Sequence, residues 1–258
     1  MRATGYYTKE PVFAGFVNSA LADGWKLVAY EADVTAFAPG TGAAERLRLR
    51  EEEQARHLVE RIFAKDKAAK VFVYVGYGHV HKNPAGNGGV MMAEYLRRMT
   101  GLATLNVDQV QQFAHPDPGK EGPTYAGLVR KFPTDAPFVL RAADGSHPVL
   151  RNSPGSVDLE VIHPRYAMHD GRPDWLRTLA GRHPRAIPAD LLPRQGRRVI
   201  KAYRKDDGPD AVPTDIVLVE PSKPAPALML PAGEFRFAVE DDVPSIARVE
   251  AQAGGVTR

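Results

Sequence analysis

The sequence contains no cysteine, so disulfides, thiolate metal ligands and a cysteine nucleophile are excluded. It also lacks any run approaching the roughly 20 apolar residues that a membrane-spanning helix needs. Its first residues, MRATGYYTKEP, have no apolar core of the kind found in signal peptides. We therefore expect no membrane span and a cytoplasmic protein as the sequence stands, or an exported one if an N-terminal segment is missing.

No charge of one sign dominates, because 34 basic residues face 31 acidic ones and the two kinds are interspersed. The net charge of +3 therefore indicates no nucleic-acid partner. The H-E-x-x-H, G-x-S-x-G, Walker A and G-x-G-x-x-G patterns are all absent, which removes the commonest metalloprotease, α/β-hydrolase and nucleotide-binding hypotheses. With 43% hydrophobic residues, the chain can still bury a substantial core.

Helical and strand patterns alternate over the first 110 residues. Apolar residues at helical spacing predict a helix from Val12 to Leu21, capped by Thr8, and further helices over 43–67 and 90–99. Apolar runs predict strands over 25–30, 70–76 and 102–107. Alternation of this kind predicts an α/β fold with a partial parallel, Rossmann-like sheet and flanking helices.

The stretch 70–82, KVFVYVGYGHVHK, is the most informative. Its strand ends at Gly76, after which Tyr77, Gly78, His79 and His81 follow at the edge where ligands bind in open α/β sheets. A histidine there can act as a general base on water or bind a divalent metal. Because residues two apart in an extended loop point in opposite directions, His79 and His81 are poor joint ligands, and His79 is the better candidate.

Acidic and amide side chains are predicted at the same edge of the sheet. Glu31 follows the strand 25–30, and Asp108 and Gln109 follow the strand 102–107. Glu51, beside Arg50, falls on the apolar stripe of the helix 43–67, where a carboxylate needs a partner. The alternative is that the helix frays and Glu51 is solvated.

After residue 113 the pattern changes to short β-like runs punctuated by proline and glycine. These runs are residues 137–141, 157–162, 199–203, 215–219 and 234–239, with short helices over 125–132 and 172–176. They predict a β-rich C-terminal module. We therefore expect two domains, residues 1–120 and residues 121–258.

Four segments in this order, WKLVAYEAD, REEEQARHL, KVFVYVGYGHVHK and GLATLNVDQ, resemble the erythromycin esterase and ChaN-like superfamily, to which the TIKI and TraB proteins also belong. The resemblance covers roughly the first 110 residues. It implies that His79 and Glu31 are active-site residues supported by Arg50 and Glu51. The sequence departs from the pattern at His57, where the family often has asparagine.

The family's first acid and histidine motif has no counterpart before Trp25, so we expect an N-terminal portion of the domain to be missing. The leading hypothesis is a hydrolase acting on a small-molecule or peptide substrate, with His79 as base or metal ligand and Arg50 stabilising negative charge. The alternative is a protein that binds haem or another small ligand, with Tyr30 and Tyr77 facing the ligand beside His79. A third possibility is an inactive remnant that acts through its β module.

Overall fold

The structure, a computed structural model, describes residues 6–82, 89–179 and 181–241, without the side chain of Tyr77. Four α-helices lie in the described residues: α1 (Pro11–Ala22), α2 (Ala43–Leu58), α3 (Met92–Thr100) and α4 (Pro123–Lys131). The described strands are β1 (Val107–Gln112), β2 (Leu159–Ile162), β3 (Met168–His169), β4 (Arg172–Pro173), β5 (His183–Arg185), β6 (Arg198–Arg204), β7 (Asp215–Val219), β8 (Leu228–Leu230) and β9 (Phe235–Asp241). None of the described helices has both the length and the hydropathy of a membrane span.

The chain forms two compact units, Val28–Arg165 and a second made of Met1–Leu27 with Tyr166–Arg258. These units do not coincide with the expected domains 1–120 and 121–258. In the second unit, the buried Arg182 guanidinium reaches the main-chain oxygen of Pro11, 171 residues earlier in sequence, at 3.4 Å. Such a contact between distant residues has no local sequence signal, which is why composition alone places the boundary elsewhere.

The second unit contains antiparallel sheets made by the later runs of the predicted β-rich region. Of the earlier predicted runs, 157–162 contributes β2 to the Val28–Arg165 unit, and 137–141 forms only an isolated bridge at Phe138 there. The largest sheet of the second unit has the order β7-β6-β9 and is antiparallel throughout, while β5 pairs with β8 and β3 with β4. The core consists of Ile187, which follows β5, and alternate residues of β6, β7 and β8, which are Ile200, Ala202, Val217, Val219, Leu228 and Leu230. A buried ion pair between Arg172 and Asp215, at 2.8 Å, fixes β4 near β7.

The predicted helices between residues 12 and 132 are present with adjusted ends, whereas the predicted helix 172–176 is β4 followed by a 3-10 helix, Asp174–Thr178. Glu10, and not Thr8, caps α1, because its carboxylate accepts a hydrogen bond from the main-chain nitrogen of Phe13 at 2.7 Å. The predicted helix 43–67 is α2 followed by a π-helical turn, Val59–Phe63. Gly101 ends α3 in the left-handed conformation, with φ of 70°, as expected for a glycine cap.

The Val28–Arg165 unit contains helices and a parallel pair of strands, but the predicted three-stranded arrangement differs. The described segments 25–30 and 70–76 belong to no strand, and the parallel pair is β1 with β2. Residues of both segments, Tyr30, Val73 and Val75, still pack on the apolar faces of α2 and α3. In the segment 71–75, half-buried and exposed residues alternate. This pattern is expected for an extended segment that is covered on one side, because successive side chains point to opposite sides.

The predicted strand 102–107 begins later, because the hydrogen-bonded strand β1 covers Val107–Gln112. Asp108 and Gln109 therefore lie within a strand and not after its end, which corrects the prediction for these two residues. The register of β1 against β2 shifts between Asp108 and Gln112, and the Asp108 carboxylate accepts from the main-chain nitrogen of Val110 at 2.7 Å inside that irregularity.

Candidate functional site

The centre of the site is the pair formed by His79 and Glu51. His79 lies in a short 3-10 helix, Tyr77–Val80, and its Nδ1 is 2.6 Å from Oε1 and 2.7 Å from Oε2 of Glu51. Glu51 is completely buried, as the apolar stripe of α2 predicts, and it also accepts from the main-chain nitrogen of Met92 at 2.8 Å. The structure therefore supplies the partner that a buried carboxylate needs.

Arg50 joins Glu31 to this pair. The Arg50 guanidinium binds both carboxylate oxygens of Glu31, through Nε at 2.9 Å and Nη2 at 2.7 Å. Its third nitrogen, Nη1, lies 3.5 Å from Nε2 of His79. Four predicted catalytic residues are thus together, with Glu51 in direct contact with the imidazole and Glu31 reaching it through the arginine.

The side chains of the site become more exposed from Glu51, through His79, to Arg50 and Glu31. The Glu51 side chain is 0% exposed and that of His79 17%, while those of Arg50 and Glu31 are 32% and 57% exposed. The imidazole therefore has a buried Nδ1 side facing a carboxylate and an Nε2 side facing the more open arginine. The more exposed side chains of the site therefore lie on the Nε2 side of the imidazole.

Two further residues on α2 hold Glu31. Gln54 donates from Nε2 to Oε1 of Glu31 at 2.7 Å, and Nδ1 of His57 lies 3.1 Å from the main-chain oxygens of both Tyr30 and Glu31. The reasoning from sequence omitted Gln54, although it lies three residues after Glu51 on the same helix face. His57, the residue that departs from the family pattern, is a buried hydrogen-bonding residue here.

The ion pair between Glu31 and Arg50 shifts the pKa values of both groups. Partial burial by itself raises the pKa of the Glu31 carboxyl, but the hydrogen bonds from Arg50 and Gln54 outweigh burial, so the pKa is lowered. The same ion pair raises the pKa of Arg50. Both groups are therefore charged across the neutral range.

Glu31→Gln is expected to destabilise the protein in a pH-dependent way. A carboxylate with a lowered pKa stabilises the fold above its unfolded pKa, about 4.3, and this stabilisation is lost as the pH falls through the folded pKa. Since Glu31 is 57% exposed, we expect a loss of no more than about 1 kcal/mol at pH 7. Urea unfolding at pH 7 and at pH 3 checks this, and a difference between wild type and variant that is undiminished at pH 3 contradicts it.

Tyr30 has a structural role at the edge of the site. Its hydroxyl donates to the main-chain oxygen of Tyr74 at 2.7 Å and so links the segments 25–30 and 70–76. Burial, with the nearby charge of Glu31, raises the pKa of Tyr30 to about 12. The phenol is therefore neutral at physiological pH and is unsuited to act as a phenolate ligand.

The remaining predicted ligand-binding residues divide between two places. Gly78 lies in the same 3-10 helix as His79, and an added Cβ would make ordinary contacts of 3.6 Å, so no close backbone approach requires glycine there. The side chain of Tyr77 lies outside the described residues. Gln109 is exposed on β1.

His81 and Asp108 belong to a second polar cluster, separate from the His79 contacts. Nε2 of His81 is 3.1 Å from Oδ1 of Asn152, whose Nδ2 donates to Oδ2 of Asp108 at 3.2 Å. Nδ2 of Asn152 also lies 3.1 Å from Glu160, which is buried like Asp108. As predicted, His79 and His81 face different partners, but Asp108 does not join Glu31 and His79 in direct contact. Asn152 and Glu160 were missed, because they come from a loop and strand far along the sequence.

The His79 site fits a metal or haem poorly. In the parts of the chain that the structure describes, no group of three or more His, Asp or Glu side chains is arranged to hold a metal ion. Nδ1 of His79 faces Glu51, and Nε2 faces a guanidinium whose positive charge opposes a cation at that position. Binding of a metal or haem iron through Nε2 would require Arg50 to move.

No protein-family model, no curated protein and no solved structure matches this chain.

Proposed function

We propose that the chain is a hydrolase of small esters or related acyl compounds in which His79 is the general base. The observation that carries this proposal is the His79–Glu51 contact, with Nδ1 against a fully buried carboxylate and Nε2 on the open side. A buried carboxylate on one nitrogen fixes the tautomer of a histidine and stabilises the imidazolium formed when the other nitrogen takes a proton.

In the proposed reaction, Nε2 of His79 takes a proton from water as the water oxygen bonds to the acyl carbon. The electron pair of the carbonyl moves to its oxygen, and the resulting negative charge is stabilised by Arg50. Nη1 of Arg50 is the guanidinium nitrogen that is not bonded to Glu31, and it lies 3.5 Å from Nε2 of His79. The tetrahedral intermediate then expels the alkoxide, which takes the proton back from His79.

We propose further that the Val28–Arg165 unit corresponds to the α/β domain of the erythromycin esterase and ChaN-like superfamily. In support, the segments carrying Glu31 and His79 both lie against α2, in the order that the resemblance implies. The packing of Tyr30, Val73 and Val75 on one side of these segments is consistent with a partial Rossmann-like layer.

Ligand binding without turnover receives less support from the same geometry. Haem capture would need a free nitrogen on His79 or a phenolate at Tyr30, and the first faces Arg50 while the second is a neutral hydrogen-bond donor. The two functions therefore differ in the use of Nε2 of His79, which takes a proton in hydrolysis and would bind iron in haem capture.

The test is hydrolysis of short-chain nitrophenyl esters by the purified chain, run in parallel with a haem titration followed at the Soret band. We expect ester turnover above the buffer rate and no Soret shift at stoichiometric haem. A saturable Soret shift without ester turnover would overturn the proposal in favour of ligand binding.

A further inference from the structure

The residues that follow His79 are held one after another by residues that precede the strands β1 and β2. Val80, His81 and Lys82 each contact a different side chain or main-chain group among them. The contacts are Asn106 Nδ2 to Val80 O, His81 Nε2 with Asn152 Oδ1 at 3.1 Å, Lys82 N to Ser156 O at 2.9 Å, and Lys82 Nζ to Asp158. The position of the 3-10 helix that carries His79 is therefore fixed from its C-terminal side.

Asn152 is the residue whose orientation is most tightly determined in this cluster. Its Nδ2 lies 3.2 Å from Asp108 Oδ2 and 3.1 Å from Glu160 Oε2, and both carboxylates are buried, with 3% of their surface exposed. Because carboxylates only accept hydrogen bonds, the amide nitrogen has to face them. The amide oxygen must then face His81.

Both carboxylates are themselves fixed by other donors. Asp108 accepts from the main-chain nitrogen of Val110 at 2.7 Å, and Glu160 accepts from that of Arg151 at 3.0 Å and from Gln112 Nε2 at 2.8 Å. The amide of Asn152 cannot rotate without leaving two buried carboxylates short of a donor. A buried polar group left unpaired costs roughly 1–3 kcal/mol.

These contacts determine the tautomers of the two histidines. Nε2 of His81 faces an amide oxygen, which can only accept, so the neutral ring carries its hydrogen on Nε2. Nδ1 of His79 faces the Glu51 carboxylate, so the neutral ring carries its hydrogen on Nδ1. Two histidines separated by one residue therefore have opposite tautomers, each set by a different partner.

We infer that Asn152 is a positioning residue for His79, acting through His81. The His81–Asn152 hydrogen bond holds the 3-10 helix that carries His79. In that position Nδ1 of His79 contacts Glu51 and Nε2 contacts Arg50. The importance of this position for turnover rests on the proposed function, but the positioning itself does not. Loss of the His81–Asn152 hydrogen bond would let the 3-10 helix move, and small displacements of a reacting group reduce reaction rates steeply.

The test compares two replacements of His81 in the ¹⁵N-labelled full chain. His81→Leu removes the donor to Asn152, whereas His81→Gln keeps an N–H that can donate to the same oxygen. A long-range ¹H–¹⁵N spectrum of the imidazoles reports the tautomer of each histidine, with His79→Gln used to assign the His79 signals. His147→Leu is the control, because His147 is an exposed histidine outside the site, whose Nδ1 lies 2.8 Å from the main-chain oxygen of Leu140.

In wild type we expect His81 with its hydrogen on Nε2 and His79 with its hydrogen on Nδ1. In His81→Leu the His79 signals should move towards a mixture of tautomers, and ester turnover should fall about ten- to a hundredfold. His81→Gln and His147→Leu should keep the wild-type His79 signals and rate.

The inference is overturned if His81 carries its hydrogen on Nδ1 in wild type, a result that does not depend on whether His81→Leu folds, because His81→Gln assigns the His81 signals. It is also overturned if the His79 signals are unchanged in a folded His81→Leu. If the His79 signals respond to His81→Leu while wild type hydrolyses no ester, positioning by Asn152 stands and the proposed hydrolase function fails.

Discussion

Glu51→Ala is expected to lower the free energy of unfolding by about 2–6 kcal/mol, because it leaves two N–H donors without a partner at roughly 1–3 kcal/mol each. The carboxylate is completely buried and serves two donors at once, Nδ1 of His79 and the main-chain nitrogen of Met92. Truncation to alanine leaves both donors unpaired and opens a cavity against α3. Equilibrium unfolding in urea, followed by circular dichroism, measures the change.

Glu52→Ala is the matched control for this experiment. Glu52 is the next residue on α2 and pairs with Arg48 at 2.7 Å, but its side chain is 42% exposed. An exposed pair of this kind contributes little, so we expect a change of no more than about 0.5 kcal/mol. Equal losses in the two variants would show that the buried contacts of Glu51 do not stabilise the unit.

His79→Gln is expected to reduce ester turnover by about 10²–10⁴-fold, the usual contribution of a positioned general base. Glutamine preserves a polar side chain of similar reach and can still donate to Glu51, so the buried carboxylate keeps a partner. It cannot take a proton from water at neutral pH. Initial rates on the same nitrophenyl esters, at matched protein concentration, give the ratio.

The control for His79→Gln is His147→Gln, which makes the same chemical change at an exposed histidine. Its rate should equal that of wild type. Equal rates in wild type and both variants would remove His79 from the proposed reaction, because any turnover would then come from another site or from a contaminating esterase.

The burial of Glu51 could be predicted from the sequence, because helical spacing is a local property. The series Glu51, Ala55 and Leu58 places the carboxylate on the apolar stripe of α2, and all three residues are buried. The same spacing also identifies Gln54 as a neighbour of Glu51. Local periodicity therefore predicted the burial of Glu51, whereas the role of Gln54 was not recognised although the same spacing offers it.

The pairing of strands could not be predicted in the same way. The run 71–75 has the β-branched and aromatic residues of a strand, yet it belongs to no strand of the described structure, and Phe72 and Tyr74 are exposed. β1 pairs instead with β2, about 50 residues later in sequence. Strand pairing depends on residues far apart in the chain, so composition within one run does not determine it.

The partners of His81 were missed for the same reason. Asn152 is 71 residues from His81, and Glu160 is 48 residues from Gln112, so neither contact has a signal in local spacing. His79 and His81 do face different partners, but the predicted reason is wrong, because His79 lies in a 3-10 helix and not in an extended loop.

The most direct test of the central claim is the tautomer of His79 in wild type and in Glu51→Leu. In wild type, Oε2 of Glu51 accepts from Nδ1 of His79 at 2.7 Å and from the main-chain nitrogen of Met92 at 2.8 Å, and leucine removes that acceptor. We expect the imidazole hydrogen on Nδ1 in wild type and a mixture of the two tautomers in Glu51→Leu, with loss of ester turnover in the variant. A wild-type His79 with its hydrogen on Nε2, or an unchanged tautomer in a folded Glu51→Leu, would contradict the claim that Glu51 sets the state of the catalytic histidine.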